Sequence, residues 1–146
     1  MLREISFTAI AALSIATNGL AADCFKETGT YTGEGTKTSN VDPIEDYALQ
    51  VELSANSYTY TRTFKDGTRE TGTHSFVCNA DGTMEWTTVE NGEGEWEEGG
   101  SYDVEGKLEN GQTSMTLMVR FNRLFFLTTN EDEGVVERFG DRATKN

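Results

Sequence analysis

The run from Tyr47 to Trp86 leaves this chain few folds to choose from. Tyr47, Leu49, Val51 and Leu53 alternate with Ala48, Gln50 and Glu52, and Ala55-Asn56-Ser57 then turns the chain. Tyr58, Tyr60, Arg62 and Phe64 alternate with Thr59, Thr61 and Thr63. Asp66-Gly67 turns it again, Thr68 to Cys78 runs back, and Asp81-Gly82 precedes Met84 and Trp86. Period-two alternation marks strands with one buried face. Asp-Gly between such strands is a strong hairpin signal, because a type I′ turn needs φ > 0 at both central residues. Four consecutive antiparallel strands follow.

The flanks extend the pattern. Thr28 to Lys37 reads as a strand rich in Thr and Gly, where glycines mark bends or close backbone approach. Asn40 to Asp46, with the single proline Pro43, reads as a loop. The alternation lapses from Glu90 to Ser101, where Trp96 stands alone among Glu95, Glu97 and Glu98. Tyr102 to Leu108 and Met115 to Phe121 alternate again around an Asn110-Gly111 turn. Asn122-Arg123 turns the chain into Leu124 to Thr129, where Phe125, Phe126 and Leu127 predict a strand covered on both faces. After an acidic turn at Asn130 to Gly134, Val135 to Phe139 predicts a final short strand, and Asp141 to Asn146 a frayed tail. The sum is an all-β chain of eight or nine antiparallel strands. Successive hairpins without long crossovers favour one up-and-down meander barrel.

The 146 residues suit one domain. Residues 1–22 have the layout of a secretory signal peptide: a charged start, an apolar run from Ile5 to Ile15, then small residues ending at Ala21 and Ala22. The apolar run is shorter than the ~20 residues of a spanning helix. Residues 23–146 form the domain, and the expected location is the periplasm or the exterior. Asp23 before Cys24 departs from the pattern of a lipid-modified cysteine. Cys24 and Cys78 are the only cysteines, and an even pair in an exported chain predicts one disulfide. Net charge is −13, which repels phosphate backbones and anionic lipid. Nucleic acid is excluded as a partner, and no membrane span is expected in the mature chain.

Short meander barrels that open with Gly-x-Trp and carry an Arg in the last strand resemble this chain at Gly29-Thr30-Tyr31 and at Arg138. Those barrels are the calycins, the superfamily of lipocalins, fatty-acid-binding proteins and avidins, and Tyr31 replaces their Trp. The resemblance implies that Tyr31 closes the barrel floor and that the Arg138 guanidinium stacks on its ring as a structural cation–π pair.

Arg62 is the most informative polar residue. Parity points it inward between Tyr60 and Phe64, and a buried charge needs a partner. That partner is either a bound carboxylate gripped by the planar guanidinium or a carboxylate of the protein, unless a bulge turns the face outward. Tyr58, Tyr60, Phe64 and Trp86 join it as candidate ligand-binding residues. With Tyr102, Phe121 and Phe126, these aromatics either line an apolar cavity or fill a solid core. His74, the only histidine, has no second His or free Cys to complete a zinc site, and a structural role suits it best. The acidic runs Glu90 to Glu98 and Glu131 to Glu133 read as solvated loops without EF-hand spacing. No nucleophile elbow or phosphate loop is present.

The expectation is therefore a non-enzymatic exported barrel that takes a small apolar or amphipathic ligand, with Arg62 at its anionic end. No catalytic residue, metal or cofactor is assigned. The alternative is a protein-binding module, such as a periplasmic protease inhibitor or envelope-assembly factor, using Trp96 as its exposed anchor.

Overall fold

The computed structural model describes residues 21–146. Residues 1–20 of the expected signal peptide lie outside the described residues; its last two, Ala21–Ala22, form a short strand β1. Ten longer strands follow: β2 (Gly29–Ser39), β3 (Glu45–Ser54), β4 (Ser57–Phe64), β5 (Arg69–Asn79), β6 (Thr83–Trp86), β7 (Glu90–Glu97), β8 (Ser101–Leu108), β9 (Gly111–Arg120), β10 (Arg123–Asp132) and β11 (Val135–Lys145). Each pairs antiparallel with the next, and β11 pairs with β2 from Glu137↔Ser39 to Lys145↔Tyr31. The result is a closed ten-stranded meander barrel, with β1 added outside against β5. The closing seam is short: β5 and β6 pair only from Phe76↔Trp86 to Cys78↔Met84.

Three differences from the sequence reading have local causes. Glu90–Glu97 is a strand, β7, whose inward positions are Gly92, Gly94 and Trp96; two glycines hide the alternation that apolar residues would display. Phe125 and Leu127 point outward and are 43% and 37% exposed, so β10 is covered on one face only. Most consequentially, β11 runs on through Lys145 instead of fraying after Phe139, and buries Asp141 and Ala143.

Turn chemistry also departs from expectation. At Asp66-Gly67 and Asp81-Gly82 only the glycine has positive φ, 90° and 92°. The aspartates instead accept hydrogen bonds from the backbone N–H of Thr68 and Thr83, each at 2.9 Å. The third expected turn falls on Glu109 and Asn110, since Leu108 pairs with Gly111. Turns with both central residues left-handed occur at Phe121-Asn122 (φ 56° and 61°) and Glu133-Gly134 (φ 52° and 83°).

A ten-stranded barrel is wider than the eight-stranded kind that side chains just fill. Large aromatics occupy the extra width: Trp86, Tyr31, Tyr58 and Phe126 are essentially inaccessible to solvent. Two inward glycines make room for rings on the neighbouring strand. Tyr47 lies opposite Gly35 and Tyr60 opposite Gly72, each covering the space a Cβ would need. One end of the barrel is plugged by the segment before β2. Phe25 packs edge-on against Phe76 and Tyr102, the Tyr102 hydroxyl donates to the Cys24 carbonyl, and the Phe25 N–H donates to the Ala55 carbonyl. The expected Cys24–Cys78 disulfide ties this plug to β5.

Candidate functional site

The opposite half of the interior carries the buried polar chemistry. Parity on β4 aims Arg62 inward, as expected, and 3% of its surface remains exposed. Its guanidinium lies 4.1 Å from the Tyr60 ring centroid, 4.3 Å from that of Phe139 and 5.3 Å from that of Tyr47. Its partner is a protein carboxylate: Nη2 donates to Asp141 Oδ2 at 3.2 Å. Tyr58 donates to the same oxygen at 2.8 Å, and Tyr47 donates to Oδ1. Asp141 therefore has three donors from β3 and β4 gathered on one fully buried carboxylate.

The electrostatics follow from this geometry. Burial pulls the Arg62 guanidinium down, but the Asp141 carboxylate together with the Tyr47 and Tyr60 hydroxyls outweighs it and holds the group above its ordinary value. Burial, then the Asp141 charge, pushes both the Tyr47 and Tyr58 hydroxyls up, so both remain donors throughout the physiological range. Two buried polar atoms in this half have no protein partner among the described residues: Arg62 Nε and Thr128 Oγ1. Thr128 lies opposite Phe139, the residue beneath the guanidinium.

His74 stands beside this cluster. Its Nδ1 accepts a hydrogen bond from Trp86 Nε1 at 3.2 Å, and its ring stacks on Tyr60 with centroids 5.6 Å apart. Burial, aided by the Arg62 charge, pushes it down to about 4, so it is neutral at pH 7. The imidazole is a packed acceptor.

Of the aromatics singled out from sequence, Tyr58, Tyr60, Phe64 and Trp86 all face the interior with Arg62, and Tyr102 and Phe126 complete the core. Phe121 does not, being 84% exposed in its turn. The Tyr31–Arg138 stack does not form. Tyr31 lies opposite Lys145 at one end of the β2–β11 ladder, whereas Arg138 lies opposite Thr38 near the other and points to solvent. The Tyr31 hydroxyl donates instead to the Glu27 carbonyl. Trp96 also departs from expectation: it packs against the core, stacks parallel to Tyr102 and donates through Nε1 to the Asn79 carbonyl at 2.8 Å.

The sequence reading missed Asp141, because it fell in the presumed tail. An inward Arg62 left its partner open between a ligand's carboxylate and the protein's own, and the alternation of Asp141 with Phe139 and Ala143 was the signal that could have found it.

The outer wall holds two grooves. One, of about 950 Å³ across β7–β9, is lined by Glu93, Glu95, Asp103 and Glu105, with Glu93 opposite Glu105 and Glu95 opposite Asp103. The other, of about 720 Å³, lies over β9, β10, β11 and β2 and is lined by Met118, Phe121, Phe125 and three arginines.

No known family description matches the chain, and no curated protein matches it in sequence. Among solved structures it is similar to the S-type phycobiliprotein lyase CPES from Guillardia theta, with a TM-score of 0.63 and 8% identity over 82% of this chain and 88% of that one. The likeness is one of fold: this is a calycin-like barrel.

Proposed function

We propose that this barrel is an exported, non-catalytic binding protein for a small apolar or amphipathic molecule, received in the half of the interior that holds Arg62. The observation that carries the reading is the pair of inward polar atoms without partners among the described residues, Arg62 Nε and Thr128 Oγ1, in the half of the interior where Tyr47, Tyr60 and Phe139 surround the guanidinium. A buried donor left unmade costs about 1–3 kcal/mol, so a barrel that retains two such atoms gains by receiving a polar group there. Asp141 neutralises the guanidinium at Nη2 and leaves the Nε edge for the ligand. Because the interior is packed, entry requires the rings around the guanidinium to move, and Tyr60, only partly buried, is the least enclosed of them. A solved structure of similar fold is a phycobiliprotein lyase, which is compatible with a small-molecule role; no reaction is carried over.

Export rests on the Met1–Ala22 sequence and on the disulfide, a bond that persists in oxidising compartments.

Native mass spectrometry of the protein purified from its own cell envelope, set against a denatured sample, tests the reading. The expected result is an adduct of small-molecule mass that leaves on denaturation. It should be lost in Arg62→Lys, which keeps a cation for Asp141 but has no Nε donor. The bare mature mass in wild type would overturn the proposal. An intact mass retaining residues 1–22 would overturn export by signal cleavage.

A further inference from the structure

The second outer groove is assembled by strand register. Across the outward faces of β9, β10, β11 and β2, one row runs Arg120, Arg123, Thr144, Thr32. The next runs Met118, Phe125, Arg142, Glu34. The floor is therefore threonine beside Gly33 and Ala143, and the walls are Met118, Phe125 and the Phe121 turn.

Three features of this surface run against what folding alone favours. First, Arg120 and Arg123 are directly opposite each other at the mouth of a two-residue turn, and like charges so placed repel. Neither has an ion-pair partner among the described residues, and Arg142 has only a loose, exposed one in Glu34 at 3.9 Å. Second, three of the twelve Lys and Arg residues in a chain of net charge −13 converge here. Third, Phe121 is 84% exposed at φ 56°, a left-handed position where a bulky side chain is a backbone outlier. Strain and repulsion maintained at an exposed apolar site point to function more than to stability.

The geometry points to a binding site for a monomeric single-chain amphipathic anion, its hydrocarbon lying along Met118, Phe121 and Phe125 and its acid group held by Arg123 and Arg142. Charge complementarity selects the occupant. The arginines favour an anion, whereas the overall charge of −13 opposes approach to an anionic bilayer, so the ligand comes free in solution. The volume of about 720 Å³ lies within the range of small-molecule sites. This site is separate from the interior one: it lies on the other side of the barrel wall, and either can exist without the other.

Dodecanoate, kept below its micelle threshold, is the probe. The test is to titrate it into the purified protein while recording backbone amide shifts. Shifts should concentrate at residues 118–125 and 142–144. The double variant Arg123→Glu, Arg142→Glu changes only exposed side chains, so it should fold normally and bind at least tenfold more weakly. Dodecyl maltoside, which is uncharged, should also bind at least tenfold more weakly than dodecanoate. Unchanged affinity in the double variant, or equal affinity for the maltoside, would overturn the proposal. So would shifts confined to Arg62, Thr128 and their neighbours, an outcome that would support the interior site instead. Binding to phosphatidylglycerol vesicles without binding of monomeric dodecanoate would replace the free ligand by a membrane surface and overturn the assignment too.

Discussion

Asp141 and Arg62, 79 positions apart in the sequence, meet inside the barrel, carboxylate to guanidinium at 3.2 Å. Tyr47 and Tyr58 complete the carboxylate's shell. Removing one member of a buried pair strands the other charge, at about 3–5 kcal/mol. Asp141→Ala is therefore expected to cost that much in urea denaturation. Replacing both members together, as in Arg62→Met with Asp141→Leu, should recover most of the loss. A single-variant cost below about 1 kcal/mol would mean that the pair does not hold the wall together.

His74 makes stability fall in mild acid. Its folded value, about 4, lies below the unfolded value of about 6.5. The folded protein thus binds fewer protons than the unfolded chain between these values, and stability rises with pH through that window. The contribution is complete above pH ~6.5 and falls by about 3 kcal/mol by pH ~4. Denaturation midpoints across pH 4–7 should show this slope, and His74→Gln should flatten it whatever it does to stability at pH 7.

The disulfide holds the plug. It spans 54 residues, and its removal should cost about 4 kcal/mol on a chain-entropy basis. Cys24→Ser with Cys78→Ser is expected to melt at lower temperature and to expose the amides of residues 24–27 to hydrogen exchange before those of β2–β11. Simultaneous exchange of plug and barrel would show that the plug is held by its own contacts.

Phe25 provides the ring contacts of the plug, against Phe76 and Tyr102. It is 2% exposed, and Phe25→Ala should cost about 3–5 kcal/mol by opening a cavity at that end of the barrel. Loss of two-state melting at a much smaller cost would place the plug outside the cooperative unit.

Phe121 sets stability against binding. Phe121→Asn puts a residue that tolerates the left-handed region into the turn and should stabilise the fold by about 0.5–1 kcal/mol. Dodecanoate affinity should fall in the same variant. A variant that is both more stable and equally tight would remove Phe121 from the proposed outer site.

Local chemistry determined much of this protein on its own. Period-two alternation set which residues of β3 to β6 face inward, Arg62 and His74 among them, and two cysteines in an otherwise cysteine-free chain set the crosslink. Such patterns are legible because each depends on neighbours a few positions away. Tertiary structure decided the rest. The β7 strand forms because β6 and β8 offer it backbone partners, although its inward positions include two glycines that give no hydrophobic signal. Residues 140–145 are strand because β2 and β10 lie on either side to pair with them, although nothing in their composition requires it. That pairing alone brings Asp141 to Arg62, leaves Arg138 away from Tyr31, and lines up Arg123 and Arg142 beside Phe125. Partners across a closed sheet are chosen by ring closure and register, and a chain carries no local mark of either.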